Sequence, residues 1–151
     1  MNTRQQIVHR YMDGFRRSDH DVILACLTDD VVWRIHGLRT TAGKAEFDDE
    51  IENPAFEGSP ELSVERTIDA GDTVVVTGTG VGHHRDNGRF RFADSDLFTL
   101  RNGLIAQVDS YVVPLSRPGL VSPPMRVSRT TSTSRRAAPG SCERAMNSAA
   151  P

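Results

Sequence analysis

Residues 89–113, RFRFADSDLFTLRNGLIAQVDSYVV, decide how the rest of the chain is organised. They predict two long antiparallel strands joined by a tight turn at Arg101-Asn102-Gly103. Because side chains alternate sides along a strand, one face of the first strand mixes aromatic, aliphatic and acidic groups. That face carries Phe90, Phe92, Asp94, Asp96, Phe98 and Leu100. Burying an unpaired carboxylate is costly, so Asp94 and Asp96 are the first candidates for a functional site.

The two carboxylates stand two residues apart on this face, which places their α-carbons roughly 7 Å apart. Like charges that close in a poorly solvated pocket raise the pKa of one carboxyl group, giving a neutral donor beside an ionised acceptor. On this hypothesis Asp96 is the neutral acid and Asp94 is a base. The alternative is that Asp94 lies at the open rim and pairs with an arginine such as Arg10 or Arg34.

The segments before this stretch continue the sheet. Alternation from Glu61 to Ile68 and the run from Thr73 to His84 predict two more strands, and Asn87-Gly88 predicts a hairpin turn. Three glycines alternate on one face of the second of these strands: Gly78, Gly80 and Gly82. Glycines at this period weaken a strand, which indicates strong curvature or close approach of another element.

Apolar residues in the first third of the chain recur with helical spacing. They predict helices over Thr3 to Arg17, about Asp19 to Leu27, and Gly43 to Glu52, with a strand from Val31 to His36. The third helix has an acidic outer face that we expect to be solvated. Because the helices precede a long meander, we expect an α+β fold in which a cone-shaped, curved antiparallel (mixed) sheet packs three N-terminal helices on its concave face.

Charge divides the chain into two parts. Residues 1–115 contain 12 Lys and Arg against 19 Asp and Glu, a net charge of −7, whereas residues 116–151 carry +5. The second part is rich in Ser, Arg, Pro and Ala without a usable period. We therefore predict a folded domain over 1–115 and a disordered basic tail over 116–151. An acidic folded part argues against nucleic-acid binding.

The remaining compositional signals concern location and cofactors. Cys26 and Cys142 are too few for a disulfide framework or a metal site. Residues 1–15 contain no apolar run of signal-peptide type, and no window reaches the length of a membrane span. We therefore expect a cytoplasmic protein with free thiols, no cofactor, no bound metal and no membrane contact.

Four sequence segments occur in a recognisable order. They are Ile7-Val8-His9-Arg10-Tyr11, Asp21 to Val31 with Thr28-Asp29-Asp30, Asp96-Leu97-Phe98-Thr99-Leu100, and Asn102-Gly103-Leu104-Ile105. In this order the chain resembles the SnoaL-like branch of the nuclear transport factor 2-like superfamily, whose cone-shaped fold includes the ketosteroid isomerases. The resemblance covers about residues 3 to 115. Because this superfamily includes enzymes, binding modules and scaffolds, the resemblance implies the fold and leaves the activity open.

The ketosteroid isomerases use a tyrosine of the first helix and a protonated aspartic acid of a later strand as an oxyanion hole, while a second carboxylate moves the proton. The resemblance puts Tyr11 at the tyrosine position and Asp96 at the position of the protonated acid. The expected position of the base is Ile35. The remaining candidates for a base are Asp94 and His36, although His36 should point to the opposite side of its strand from Ile35.

The limonene epoxide hydrolases share this fold and rely on two aspartates bridged by an arginine. That arginine stands two residues before one of the aspartates on a strand. In this chain Asp94 stands at the position of that arginine, two residues before Asp96. Arg91 points to the opposite face of the strand. The sequence therefore argues against the hydrolase.

The sequence thus predicts a protein with a mostly apolar pocket for a small hydrophobic molecule. The expected lining residues are Tyr11, Phe15, Trp33, Ile35, Phe92, Asp96, Phe98 and Ser110. The leading hypothesis is a cofactor-independent isomerase or cyclase acting beside a carbonyl, and the alternative is a non-catalytic ligand-binding or dimeric scaffold domain. We expect a homodimer through the outer face of the last strand, which should carry Ile105, Tyr111 and Val113.

Overall fold

The computed structural model describes residues 2–116. The chain order is α1 (Thr3–Arg17), α2 (His20–Ala25), β1 (Leu27–Ile35), β2 (Arg39–Ala42), α3 (Gly43–Ile51), β3 (Glu61–Asp69), β4 (Thr73–His84), β5 (Gly88–Arg101) and β6 (Leu104–Ser116). None of these helices is long and apolar enough to cross a membrane. The tail predicted for residues 116–151 lies, beyond Ser116, outside the described residues, so its disorder stays a prediction.

The strands form one unclosed sheet in the order β2-β1-β6-β5-β4-β3. Neighbouring strands are antiparallel except β1 and β6, which run parallel. Buried side chains of all three helices pack on one face of this sheet. The predicted α+β class, with three helices on a mixed sheet, is confirmed.

Helix α2 is shorter than the sequence predicts. It begins after Asp19, whose side chain accepts a hydrogen bond from the Val22 N–H, and it ends at Ala25. Leu27 instead opens β1, where it pairs with Ile105 of β6. Long-range strand pairing therefore overrides the local helical pattern at the end of this segment.

The alternating glycines of β4 make room for aromatic rings of β5. A β-carbon on Gly80 would lie 2.2 Å from the ring of Phe92, and one on Gly82 would lie 2.6 Å from the ring of Phe90. Each glycine is the direct cross-strand partner of the aromatic residue that covers it. The close approach predicted from the glycine spacing is therefore confirmed: aromatic side chains of β5 cover Gly80 and Gly82, and the backbone of Ser63 in β3 lies against Gly78.

One residue of β6 faces the side opposite to the predicted one. Ala106 has no partner on β5, so β6 contains one extra residue at this point. Because one extra residue reverses the alternation, Ile105 turns to the core and is fully buried. The prediction that Ile105 shares the outer face with Tyr111 and Val113 is wrong; the latter two residues lie beyond the irregularity and are exposed.

The core lies between the helices and the inner face of the sheet. Its buried members are Val8, Tyr11, Met12, Ile23, Cys26, Leu27, Val31, Phe47, Val74, Val76, Phe98, Ile105 and Val108. Phe92 is also buried but lies outside this cluster, where it contacts Phe90 with ring centroids 5.8 Å apart. Phe92 therefore does not join the other predicted lining residues.

Candidate functional site

Asp96 lies in the middle of β5 and faces the helices. Its cross-strand partners are Val76 on β4 and Ser110 on β6. Burial raises the pKa of Asp96 to about 7; a hydrogen bond with Ser110 opposes the rise, and the charge of Asp94 adds to it. Among residues 2–116 no lysine or arginine forms an ion pair with Asp96. Near neutral pH the carboxyl group therefore exchanges between its neutral and ionised forms.

Three strands bring a hydrogen-bonded chain to this carboxyl group. The indole Nε1 of Trp33 donates to Ser110 Oγ over 2.9 Å, and the Ser110 side chain is hydrogen-bonded to Asp96. The parallel register of β1 and β6 pairs Ile35 with Ser110, which places Trp33 one step away on the same face. Trp33, Ile35, Ser110 and Asp96 thus lie close together on one face of the sheet.

Tyr11 approaches the same face from α1. Its ring contacts Phe98 and Phe15, with centroid distances of 5.2 and 4.9 Å. Burial raises the pKa of Tyr11 well above its usual value, and the nearby charge of Asp96 raises it further. Tyr11 therefore keeps its proton at physiological pH and is a potential hydrogen-bond donor beside Asp96.

Asp94 faces the same side as Asp96, with Gly78 and Val112 as its cross-strand partners. Its pKa is raised, mainly by burial; a backbone hydrogen bond lowers it, and the charge of Glu65 raises it. The described residues contain no ion pair between Asp94 and an arginine, so the rim pairing with Arg10 or Arg34 is not seen.

His36 lies on the opposite face of the sheet. Its Nε2 is 3.0 Å from Asp109 Oδ1, and its ring stacks on Tyr111 with centroids 4.3 Å apart. Asp109 and Tyr111 flank Ser110 in β6 and therefore point away from it. Of the two candidate bases, only Asp94 shares a face with Asp96. The placement of His36 corrects its inclusion among the catalytic candidates.

Aromatic side chains fill the space that the sequence assigns to a pocket. Phe15 contacts Trp33 over 5.8 Å between ring centroids, Trp33 stacks on Phe47 over 4.7 Å, and Phe47 contacts Tyr11 over 6.3 Å. Two surface clefts lie elsewhere, at residues 34–40 and between β3 and β4. An open apolar pocket beside Asp96 is therefore not shown.

Phe47 and Thr41 are site neighbours that the sequence analysis does not single out. Phe47 lies in α3, where the acidic outer face dominates the pattern; its pairing with Ile51 four residues later is the signal that marks a buried stripe. Thr41 is the cross-strand partner of Trp33 and is only 6% exposed. Its hydroxyl has no hydrogen-bond partner in the described part of the chain. The four-residue strand β2 is too short for alternation to reveal it.

A histidine and two acids meet where α2 approaches α3. The Nδ1 of His20 is 2.5 Å from Asp48, and its Nε2 is 3.2 Å from Glu52. Hydrogen bonds to Asp48 and then Glu52 raise the pKa of His20. Within residues 2–116 no three His, Cys, Asp or Glu side chains converge as ligands of a metal ion. This cluster is an interhelical contact.

Comparison with known proteins gives the same fold. A family model described as a SnoaL-like domain matches residues 8–108. An NTF2-like protein of unknown function from Burkholderia pseudomallei has 22% identity and a TM-score of 0.68, with 75% of this chain and 92% of that one covered. At such identity, the likeness shows the fold alone. None of the curated proteins matches the chain in sequence.

Two further solved structures bear names that suggest a reaction. A proposed polyketide cyclase from Xanthomonas campestris pv. campestris has 23% identity and a TM-score of 0.64, covering 72% of this chain and 89% of its own. A proposed ketosteroid isomerase from Kribbella flavida has 18% identity and a TM-score of 0.61, covering 81% and 82%. These names apply to those proteins.

Proposed function

The chain belongs to the SnoaL-like domain family, and on that premise we propose that it is a small-molecule enzyme of isomerase or cyclase type. It shifts a proton beside a carbonyl group of a hydrophobic substrate and uses no metal or organic cofactor. The proposal rests on one observation: the carboxyl group of Asp96 is buried, has a pKa of about 7 and lies near Tyr11. The names of two similar structures are compatible with this class of reaction.

Tyr11 and neutral Asp96 are the proposed hydrogen-bond donors to the substrate oxygen. When a proton leaves the carbon beside a carbonyl, negative charge develops on that oxygen. Donors that are already oriented in a site with little water stabilise this charge more than water does. The high pKa of Tyr11 supports its role, because Tyr11 remains a donor throughout the reaction.

Asp94 is the proposed base. In its ionised form it takes the proton from the carbon beside the carbonyl, which leaves an enolate, and it then returns the proton to another carbon of the substrate. Its raised pKa supports this role, because a base works best when its pKa lies near the operating pH. Ile35, at the position expected for the base, contributes only an apolar wall.

Hydrogen exchange tests this proposal. In D2O, we expect the protein to replace the hydrogens beside the carbonyl of hydrophobic ketones with deuterium, observed as loss of their proton NMR signals. Asp96→Ala should slow the exchange by about 10²–10³-fold, as loss of an oxyanion donor does, and Asp94→Asn by about 10²-fold or more. Asp96→Asn keeps a weaker donor and should fall between wild type and Asp96→Ala.

His36→Gln, on the outer face, is the control and should exchange at the wild-type rate. No exchange by the wild type above the buffer rate, across aromatic, alicyclic and steroidal ketones, would overturn the enzymatic proposal. Equal rates for wild type and Asp96→Ala would remove Asp96 from the reaction.

A second proposal is a non-catalytic domain that binds a hydrophobic ligand or serves as a dimeric scaffold. The aromatic cluster that fills the inner face favours the scaffold role, which needs no open pocket. The proposed partner is a second copy that packs against the outer face of β5 and β6. On that face Tyr111 and Val113 are 45% and 59% exposed. The carboxylate of neighbouring Asp109 already accepts hydrogen bonds from His36 and Gln107. Burying this carboxylate in a contact between two copies therefore costs less free energy than burying an unpaired one.

Val113→Lys should convert this dimer into a monomer, because it places like charges in the centre of a symmetric contact. Sedimentation velocity or light scattering at micromolar concentration measures the change. Val112→Lys is a matched control, since Val112 is 44% exposed but shares the inner face with Asp94. A monomeric wild type, or a dimer that survives Val113→Lys, would contradict the proposed contact.

A further inference from the structure

Asp96 is the end of a hydrogen-bonded chain that crosses three adjacent strands. Trp33 belongs to β1, Ser110 to β6 and Asp96 to β5. The indole Nε1 lies 2.9 Å from Ser110 Oγ, and Ser110 is the cross-strand partner of Asp96. Ser110 is only 5% exposed, so water has little access to its hydroxyl group. The roles proposed above use Asp96 and Tyr11, and they leave Trp33 and Ser110 without a function.

The chemistry of the three groups gives the chain a direction. An indole N–H can only donate, so Ser110 Oγ must accept from Trp33. The hydroxyl hydrogen of Ser110, which the indole does not use, is available to Asp96, and donation to Asp96 agrees with the lowering of the Asp96 pKa by this hydrogen bond. One oxygen of the Asp96 carboxyl group is engaged as the acceptor. When Asp96 is neutral, its proton is therefore carried by the other oxygen.

We propose that Trp33 and Ser110 are positioning residues, which orient Asp96 so that its acid proton points away from Ser110 and toward a ligand oxygen beside Tyr11. The identity of that ligand rests on the proposed function; the hydrogen-bonded chain does not. Trp33 thus acts through Ser110, in addition to packing against Phe15 and Phe47.

The hydrogen-bonded chain from Trp33 through Ser110 also limits the rise in the pKa of Asp96. Burial favours the neutral carboxylic acid, and so does the negative charge of Asp94 on the same strand. Hydrogen-bond donation from Ser110 favours the ionised form and opposes both. Tyr11 faces Asp96 from α1 and is neutral at physiological pH. The hydrogen bond from Ser110 therefore holds the pKa of Asp96 low enough for the carboxyl group to gain and lose a proton near neutral pH.

NMR titration of two signals tests the inference. The carboxyl carbon of Asp96 is assigned by difference from Asp96→Asn, which separates its signal from those of the other Asp and Glu side chains. The indole ¹H–¹⁵N signal needs no assignment, because Trp33 is the single tryptophan. In the wild type we expect both signals to titrate with the same midpoint, near pH 7.

The variants separate hydrogen bonding from packing. Ser110→Ala removes the donor and should raise the pKa of Asp96 by about one unit. Trp33→Phe keeps a ring but frees the Ser110 hydroxyl to accept from neutral Asp96, so it should raise the pKa by a smaller amount. Ser110→Thr keeps the hydroxyl and should restore the wild-type midpoint. Phe15→Leu thins the same ring cluster without contacting Ser110 and should leave the midpoint unchanged.

An unchanged midpoint in both Ser110→Ala and Trp33→Phe would overturn the inference, and so would an indole signal that does not follow Asp96. A shift in Phe15→Leu as large as that in Ser110→Ala would assign the effect to packing. These readouts need no substrate. If the protein does not exchange ketone hydrogens but the Asp96 and Trp33 signals titrate together, only the proposed function is rejected. If the protein exchanges ketone hydrogens but the two signals titrate separately, only the positioning role is rejected.

Discussion

Asparagine in place of Asp96 should make the protein more stable than the wild type at pH 8, by about 4 kcal/mol. The pKa of Asp96 is about 7 in the folded protein and roughly 4 in an unfolded chain. Between these pH values the unfolded chain releases the proton that the folded protein retains. The contribution of neutral Asp96 to stability is therefore complete below pH 4 and is lost as the pH rises through 7. Asparagine has a similar shape and does not ionise.

Urea denaturation of both proteins at pH 4 and pH 8 measures this effect. The difference in free energy of unfolding should be small at pH 4 and should grow toward pH 8. Asp94→Asn is the matched comparison. The pKa of Asp94 is also raised, so the gain in free energy of unfolding from this substitution should likewise grow with pH. Because Asp94 is less enclosed, we expect a smaller gain. A difference that does not depend on pH would show that Asp96 ionises in the folded protein as freely as in the unfolded chain.

Alanine in place of Phe47 should lower the free energy of unfolding by about 3–5 kcal/mol. Phe47 is fully buried and packs against both Trp33 and Tyr11. Its removal leaves a cavity where the rings of α1, α3 and β1 meet. Since an apolar cavity of this kind stays dry and takes up small aromatic molecules, the variant should also bind benzene or indole beside Tyr11.

Chemical denaturation gives the loss of stability, and the fluorescence of Trp33 reports ligand uptake. Phe56→Ala is the control, because Phe56 is partly exposed and contacts His84 and Phe90, away from this cluster. Equal losses in the two variants would contradict a central packing role for Phe47. Ligand uptake by Phe47→Ala and not by the wild type would show that this ring closes the site.

The strongest predictions from sequence concern local patterns. Alternation and turn residues mark β3 to β6 with bounds close to those observed, because side-chain alternation and glycine turns depend on neighbouring residues only. The same alternation places Asp94 and Asp96 on one face and His36 on the other side from Ile35. The helical stripe of α1 likewise turns Tyr11 inward without reference to the rest of the chain.

Other features depend on which strands become neighbours, and only the tertiary structure decides them. The extra residue at Ala106 turns Ile105 into the core, and pairing with β6 draws Leu27 out of its predicted helix. Phe47 is part of a mostly acidic segment until α3 packs against β1.

The chain from Trp33 through Ser110 to Asp96 depends most on tertiary structure. It links residues 77 positions apart through a single hydrogen bond. It requires the parallel register between β1 and β6, which no local pattern specifies. The sequence by itself determines that a carboxyl group lies on an apolar face. The packing of three strands decides how deeply that group is buried, what it is hydrogen-bonded to, and therefore at what pH it holds its proton.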